Sequence, residues 1–373
     1  ELNSALSARM HPKMFFNKKM LEAVGGKVPT TTDELYELLV KVRDADANGN
    51  GDANDEIGVT SNGLSNVLRA FTGAFGLNNR GREDLSVDAD PSDPTKIRFV
   101  YTCDSYRQYL AYVAKLYQEG LIDPELFELS TAKMVAKGSQ DMIFCLSYIN
   151  CQAASVNADD YVGLEVALKG PNGDQQWNNM NKGVGLGAFA ISPTCKDPAT
   201  LVRWIDSFYT DEGAKMFYFG KEGEDFYYDE NGLPAYNQEI LDQVSAENPY
   251  DKVISAISPY ASGTLPVLIK DEFFCGAECR GVNLETAKNL EPYVNQITWK
   301  FNFTTEESEE LSPLTADLIT NCHDVYRAKF IKGELDVNDD AAWQSYVDEM
   351  QSLGLERYIE IYQGALDRMQ AQN

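Results

Sequence analysis

The stretch RDADANGNGDANDEIG, residues 43–58, sets an oxygen-bearing side chain at every second position from Asp44 to Asn54 and closes on Asp55 and Glu56. Carboxylates this close repel one another unless something positive answers them, so any fold built around this stretch must provide for it. Read from Asp46, the side chains of Asp46, Asn48 and Asn50 take positions 1, 3 and 5, Gly51 takes position 6 and Asp52 position 7, with Asp55 and Glu56 closing. That is the opening half of an EF-hand-like calcium loop, in which alternation converges the oxygens and glycine permits the sharp turn. Read from Asp44, the side chains of Asp44, Asp46, Asn48, Asn50, Asp52 and Asp55 fall at 1, 3, 5, 7, 9 and 12, and spacing alone does not choose. The same residue types dominate ordinary solvated turns. The density of carboxylates is what favours a hard divalent ion, Ca2+, in a structural role, because no base or nucleophile motif accompanies the loop.

A helix leads into this loop. In VPTTTDELYELLVKVRDAD, Thr31 and Glu34 form a capping box, and Leu35, Leu38, Leu39 and Val42 make one apolar stripe. In SYRQYLAYVAKLYQEGLI, Tyr109, Tyr112, Val113, Leu116 and Tyr117 repeat at the spacing of a buried helix face. SARMHPKMFF, IRFVYTCD, QDMIFCLSYI, DYVGLEVALKGPNG and GVGLGAFAIS read as strands, NKKMLEAVG and residues 62–75 as helices, and residues 77–94 as a polar loop. Asp197 as N-cap with Pro198 behind it opens a helix running through TLVRWIDSFYTDEGAKMF. From Ser312 onward the pattern is almost wholly helical. Strands alternating with helices make the class α/β.

Charge narrows the partners. Lys and Arg number 32 against 58 Asp and Glu, a net charge of −26. Such a field repels nucleic acid and anionic headgroups and draws in divalent cations. No run of about eighteen apolar residues is present to span a bilayer. The chain opens ELNSALSARM, with no basic, apolar leader in view. Seven scattered cysteines and two histidines lack the spacing of a zinc site; Cys275 and Cys279 in CGAEC could close a small disulfide, though sequence predicts such pairing poorly. GVGLGAFA has loosely spaced glycines, but inside a continuous apolar run they fit a strand better than a nucleotide turn.

The order of segments carries a resemblance. NKKMLEAVG followed by VPTTTDEL and then by the DANGNGDANDEI loop resembles bacterial extracellular solute-binding proteins of family 1, in particular the lipoprotein branch that includes alginate-oligosaccharide-binding proteins. ISPTCKDPATLVRWIDSFYTDEGAKMFYFGKEGEDFYYDENGLPAY and FIKGELDVNDDAAWQSYVDEMQSLGLERYIEIYQGALDRM are similar to that family's helix after the second hinge strand and to its C-terminal helices. The resemblance implies a periplasmic-binding-protein-like type II fold, two lobes joined by hinge strands with a helix-rich C-terminus. It implies the register from Asp46, with calcium held by Asp46, Asn48, Asn50, Asp52 through its main-chain carbonyl, Asp55 and Glu56. Residues 1–182 and 265–373 would form the second lobe and 183–264 part of the first, with on the order of 100 residues of first lobe expected upstream of Glu1.

The implied function is capture of an oligosaccharide outside the cell and delivery to an ABC permease. The protein would act as a monomeric lipoprotein on the outer face of the membrane or in the periplasm, anchored only by an upstream lipid and turning nothing over. Sugar rings stack on exposed aromatics. Trp177, in the polar loop GDQQWNNMN, is therefore the first candidate, then Tyr148 at a strand end, then Phe226, Tyr227 and Trp299, whereas Trp204 and Trp343 sit on apolar helix faces expected to be core. The alternatives are a calcium-dependent cell-surface interaction module, which usually pairs its loops, and a glycoside hydrolase or lyase.

Overall fold

The segments KMFFN and IFCLSY bury almost every side chain, as strands do when both faces of their sheet are covered. The computed structural model describes residues 6–81, 86–153, 158–179, 189–230, 232, 234–245, 248, 250–258, 268, 281–295, 297, 299 and 301–371. Its strands are β1 (Lys13–Asn17), β2 (Ile57–Thr60), β3 (Val87–Ala89), β4 (Ile97–Phe99), β5 (Ile143–Tyr148), β6 (Tyr161–Gly163), β7 (Phe226–Tyr228) and β8 (Pro234–Tyr236). Its α-helices begin with α1 (Leu6–Arg9), α2 (Lys18–Ala23), α3 (Thr32–Arg43), α4 (Leu64–Thr72), α5 (Asp104–Gln118) and α6 (Thr131–Ser139). They continue as α7 (Pro198–Asp206), α8 (Asp211–Phe219), α9 (Gln238–Leu241), α10 (Tyr250–Ser255) and α11 (Gly281–Leu290). The C-terminal set is α12 (Thr305–Thr315), α13 (Asp324–Lys332), α14 (Asp340–Ser352) and α15 (Leu355–Gln370), with a π-helix, Ala316–His323, between α12 and α13.

The central sheet has the order β2-β5-β1-β6. β1 runs antiparallel to β5, with Phe15 opposite Leu146 and Lys13 opposite Tyr148, and antiparallel to β6 on its other side. β2 and β5 are parallel, with Val59 opposite Cys145. Helices α3 and α4 pack on β2 and β5, while α11 comes back from far along the chain to cover β1 and β6. A Cβ on Gly163 would lie 1.7 Å from the Thr286 hydroxyl, so only glycine in β6 allows α11 to approach so closely. Around the sheet one large apolar core extends from Met10 to Leu366. A second cluster forms apart from it, from Ala214, Tyr218, Phe219, Phe226, Tyr236, Ile240, Val253 and Ile254.

Several elements differ from the sequence reading, each for a local reason. SARMHPKMFF is helix, turn and then strand: the wholly buried Lys13 ammonium donates to the carbonyls of Ser7 (2.7 Å) and Met10 (3.0 Å), closing the end of α1. Thr31 Oγ1 accepts the Glu34 N–H (3.1 Å), but the Glu34 carboxylate reaches back to the Thr30 N–H (2.8 Å), one residue earlier than a capping box requires. The polar loop 77–94 contains β3, paired with β4, and DYVGLEVALKGPNG is extended strand only over β6. The helix after Asp197 breaks at a turn, Ser207–Tyr209, and Thr210 caps its continuation α8 through the Gly213 N–H (3.0 Å). Residues 183–188 of GVGLGAFAIS, Cys275, Cys279 and the lobe boundaries expected near 182 and 264 lie outside the described residues.

The π-helix presents His323 to the core. Its ring stacks on Tyr101 at 3.6 Å, Nε2 meets the Tyr106 hydroxyl at 2.7 Å, and Nδ1 meets Asp324 Oδ1 at 3.0 Å. Burial pushes the imidazole down from 6.5 to about 4, against the pull of the Asp324 carboxylate. The folded chain therefore holds it neutral where the unfolded chain already takes a proton. The stability it contributes is complete above about pH 6.5 and falls as pH drops from there toward about 4, a loss on the order of 3 kcal/mol. Urea unfolding at a series of pH values should show this loss in the wild type and a flatter profile in His323→Gln over the same window; parallel profiles would contradict it.

Candidate functional site

At the end of α3, the Asp44 carboxylate turns back onto the Arg43 guanidinium (2.8 Å) and leaves the loop. Asp46 turns inward: its two oxygens accept the N–H groups of Asn50 (3.0 Å) and Gly51 (3.0 Å). Asn48 Oδ1 accepts the Asn50 N–H (2.9 Å) and Asn50 Oδ1 the Asp52 N–H (2.8 Å), so the alternating side chains wind the backbone around a common centre. Gly49 and Gly51 have φ of +71° and +96°, which the winding requires and a side chain would strain. Asp52 Oδ1 is taken by the Asn54 N–H (3.1 Å).

The closing pair is held by amides. Asn48 Nδ2 donates to Asp55 Oδ1 (3.0 Å), Asn50 Nδ2 donates to Asp55 Oδ2 (2.6 Å), and the Asn48 N–H donates to Glu56 Oε1 (3.3 Å). Glu56 Oε2 is buried and has no hydrogen-bond partner. A buried carboxylate oxygen without a donor is costly, and a hard cation is the partner that this donor set suits. Among the described residues no three His, Cys, Asp or Glu side chains are already gathered as a ligand group; in this loop two of the converging donors are asparagine amides.

Glu56 leads directly into β2, and the carboxyl ends of parallel strands are where α/β sheets place ligands. The β2 end is anchored from below. Thr60 Oγ1 donates to Asp123 Oδ2 (2.8 Å), and the buried Asp123 carboxylate also accepts two hydrogen bonds from the Lys137 ammonium (2.9 and 2.8 Å), which pairs with Glu125 as well (2.7 Å). Above it, Asn62 Nδ2 donates to Thr131 Oγ1 (3.2 Å) and approaches the Tyr148 hydroxyl at the end of β5 (3.5 Å). Asn66 Nδ2 donates to Asn62 Oδ1 (2.7 Å), Arg69 Nη1 to Asn66 Oδ1 (3.4 Å), and Asn178 Nδ2 to the Arg69 carbonyl (3.2 Å). The His11 ring lies edge-on to Tyr148 at 5.8 Å. Alongside this amide chain, the Trp177 indole N–H, Asn178 Oδ1, Asn179 Oδ1 and both ends of the Asn78 amide are buried without a hydrogen-bond partner. Native structures leave few such groups, so a strip of them calls for a polar ligand or bound water.

The five aromatic candidates scatter. Trp177 is 1% exposed, its main-chain N–H bonded to the Tyr293 carbonyl (2.8 Å), which corrects its reading as a solvent-facing platform. Its polar neighbours are themselves buried connectors: Gln176 Oε1 accepts the Asn78 N–H (3.0 Å) and Gln175 donates to the Ala167 carbonyl (2.7 Å). Trp299 is 6% exposed beneath the Arg80 guanidinium, 5.2 Å from its ring. Phe226 is buried in the second cluster against Phe219 (5.3 Å), whereas Tyr227 beside it is half exposed. Of the five, Tyr148 is the one beside the amide run, half-buried, with its hydroxyl 3.5 Å from Asn62 Nδ2. Trp204, expected in the core, is 56% exposed, and Trp343 is buried as expected.

No family model matches the chain. It is 25% identical over 374 residues to the fructooligosaccharide ABC transporter substrate-binding protein FusA of Streptococcus pneumoniae serotype 4, an overlap of 96% of this chain and 65% of that protein. It is 30% identical over 176 residues to lipoprotein LipO of Bacillus subtilis, 43% of this chain and 33% of that protein. The chain thus spans less than two thirds of the length of either relative. The solved structure of S. pneumoniae FusA in complex with kestose superposes with a TM-score of 0.77 at 23% identity, over 100% of this chain and 74% of that one. A FusA EF-hand mutant in complex with fructo-nystose gives 0.76 at 22% identity, over 100% and 75%. Alginate-binding protein AlgQ2 without calcium ion gives 0.70 at 18% identity, over 96% and 72%.

The fold is that of the extracellular solute-binding proteins.

FusA is a substrate-binding protein of an ABC transporter. The hydrogen-bonded run Asn62–Asn66–Arg69–Asn178 lies beyond the end of β2, and the sequence reading singled out none of the four residues. The one signal that points to them is positional: SNGLSN follows directly on a strand that turns out to be parallel to β5. Because Asp123 anchors that strand end, Asp123→Ala, which strands a buried Thr60 hydroxyl and part of the Lys137 charge, should cost about 3 kcal/mol in urea unfolding. Adding Lys137→Met should recover part of the loss; a neutral single variant would show that the anchor is idle.

Proposed function

We propose that the chain is the ligand-binding part of an extracytoplasmic substrate-binding protein of an ABC importer, and that it binds an oligosaccharide. The observation that carries this is the run of asparagine amides at the carboxyl ends of β2 and β5, capped by Tyr148 and bordered by buried polar atoms without partners. Sugar hydroxyls supply both donors and acceptors, and amide side chains are the groups that answer both. The relatives named as fructooligosaccharide-binding and alginate-binding support the class of ligand.

The mechanism is closure. Residues 1–182 with 265–373 act as one lobe and 183–264 as part of the other, in keeping with the two separate apolar clusters. A ligand that touches both lobes only when they are together shifts the population toward the closed state. The closed form is then recognised by the ABC permease. The protein works as a monomer outside the cytoplasm, held at the membrane face by a lipid, as the likeness to LipO supports.

One Ca2+ belongs to this reading. It would be held by Asp46, Asn48, Asn50, the Asp52 carbonyl, Asp55 and Glu56, supplying the positive charge that the loop's carboxylates lack and fixing the entry to β2. The buried Glu56 oxygen without a donor supports it, as does a relative studied as an EF-hand mutant.

Incubating the purified chain with labelled kestose and a panel of plant and microbial oligosaccharides tests the function. We expect retention without bond cleavage, and binding weakened about tenfold in Asn62→Ala with an unchanged circular dichroism spectrum. Cleavage products would make the chain a hydrolase or lyase, and no retention of any oligosaccharide would remove the binding role.

A further inference from the structure

Beneath the amide chain lies a cavity of about 130 Å³ that the sugar-binding reading does not use. Ser65, Arg69, Tyr101, Tyr106, Tyr109 and Arg327 are among its polar lining, and among the described residues no acidic side chain lines it. In a chain of net charge −26, two guanidiniums on one small cavity are a marked local reversal of sign. Arg327 is oriented from behind by Asp324 Oδ1 (3.0 Å), a carboxylate it shares with His323. Its Nε is buried and has no hydrogen-bond partner. The tyrosine hydroxyls are partly committed: Tyr109 donates to the Leu68 carbonyl (3.0 Å) and Tyr106 meets His323 Nε2. A planar guanidinium with a dry, unused donor is a site for an oxyanion, which can take two parallel hydrogen bonds from it.

Size and position narrow the ligand. The cavity is well below the 300 Å³ or so that a whole small-molecule ligand occupies, so it admits a substituent or a small ion. Arg69 stands on both sides of the question, lining the cavity while donating to Asn66 in the amide chain. The π-helix that precedes α13 is the kind of insertion that re-aims side chains at functional positions, and here it is followed within one turn by Arg327.

We propose that this cavity binds an oxyanion, a carboxylate or sulfate, carried by a sugar whose neutral hydroxyls lie along Asn62 and Asn66. The sugar as bearer rests on the function proposed above; the anion cavity itself does not. Calorimetric titration of the full chain with galacturonic acid, galactose and sodium sulfate, at one ionic strength, separates these. Galacturonate should bind about tenfold or more tighter than galactose, and Arg327→Gln should abolish the preference. Binding of sulfate with no response to galacturonate would keep the cavity as an anion site and identify a free ion as its occupant. A response to galacturonate with no retention of neutral oligosaccharides would keep this inference while overturning the broader one. Equal or absent binding of galacturonate and galactose with no sulfate response, or a preference that survives Arg327→Gln, overturns the proposal. If that variant does not fold, the wild-type preference is read against sodium chloride between about 0.05 and about 0.5 M, where it should shrink; an invariant preference counts against the guanidiniums.

Discussion

Four carboxylates, Asp46, Asp52, Asp55 and Glu56, crowd the connection between α3 and β2, and the rest of the structure hangs on how that crowding is relieved. The loop cannot simply spread into solvent, because β2 begins at its last residue and lies against β5 in the central sheet. Asparagine amides supply part of the answer by holding Asp55. They leave Glu56 Oε2 buried and without a donor, one residue before the strand. The hard cation proposed above would convert mutual repulsion into attraction toward one point and set where β2 starts.

From that point the consequences run along the strand. The start of β2 fixes its far end, three residues on, where Thr60 is anchored by Asp123, itself held by Lys137, and where Asn62 follows beside Tyr148. Asn62 Oδ1 accepts from Asn66, Asn66 Oδ1 accepts from the Arg69 guanidinium, and Asn178 donates to the Arg69 main-chain carbonyl. Such a network is stiff where satisfied and demanding where it is not, and the unpartnered atoms of Asn78, Trp177, Asn178 and Asn179 are the demanding part. On the proposed function, the ion would pin a strand, the strand would position amides, and the amides would hold the ligand.

Much of this was legible in sequence, for reasons that depend on distance along the chain. The caps and apolar stripe of α3, the alternation of the calcium loop, the buried face of α5 and the C-terminal helices are local features, and local chemistry decides them. What failed was set by partners far away. Trp177 sits among glutamines and asparagines, which looks like a wet loop, yet those side chains are consumed by the backbone of segments about a hundred positions earlier, as Gln176 is by Asn78. Phe226 was sought as a sugar platform and instead seeds the second apolar cluster, because the hairpin of β7 and β8 turns one face toward α8. Lys13 interrupts what reads as a continuous strand, since a fully buried ammonium must find carbonyls and takes those at the end of α1. Asn62 and Arg69 carry no local signature; only the parallel pairing of β2 with β5 gives their positions meaning.

Hydrogen–deuterium exchange, resolved over residues 46–62 with the chain either calcium-loaded or chelator-stripped, asks most directly whether an ion organises the crevice. Calcium should slow exchange at the Asn50, Gly51 and Asp52 amides and carry that protection through β2 as far as Asn62. Identical exchange in the two states, or protection confined to the loop with β2 unaffected, would contradict the view that a bound cation positions the binding site.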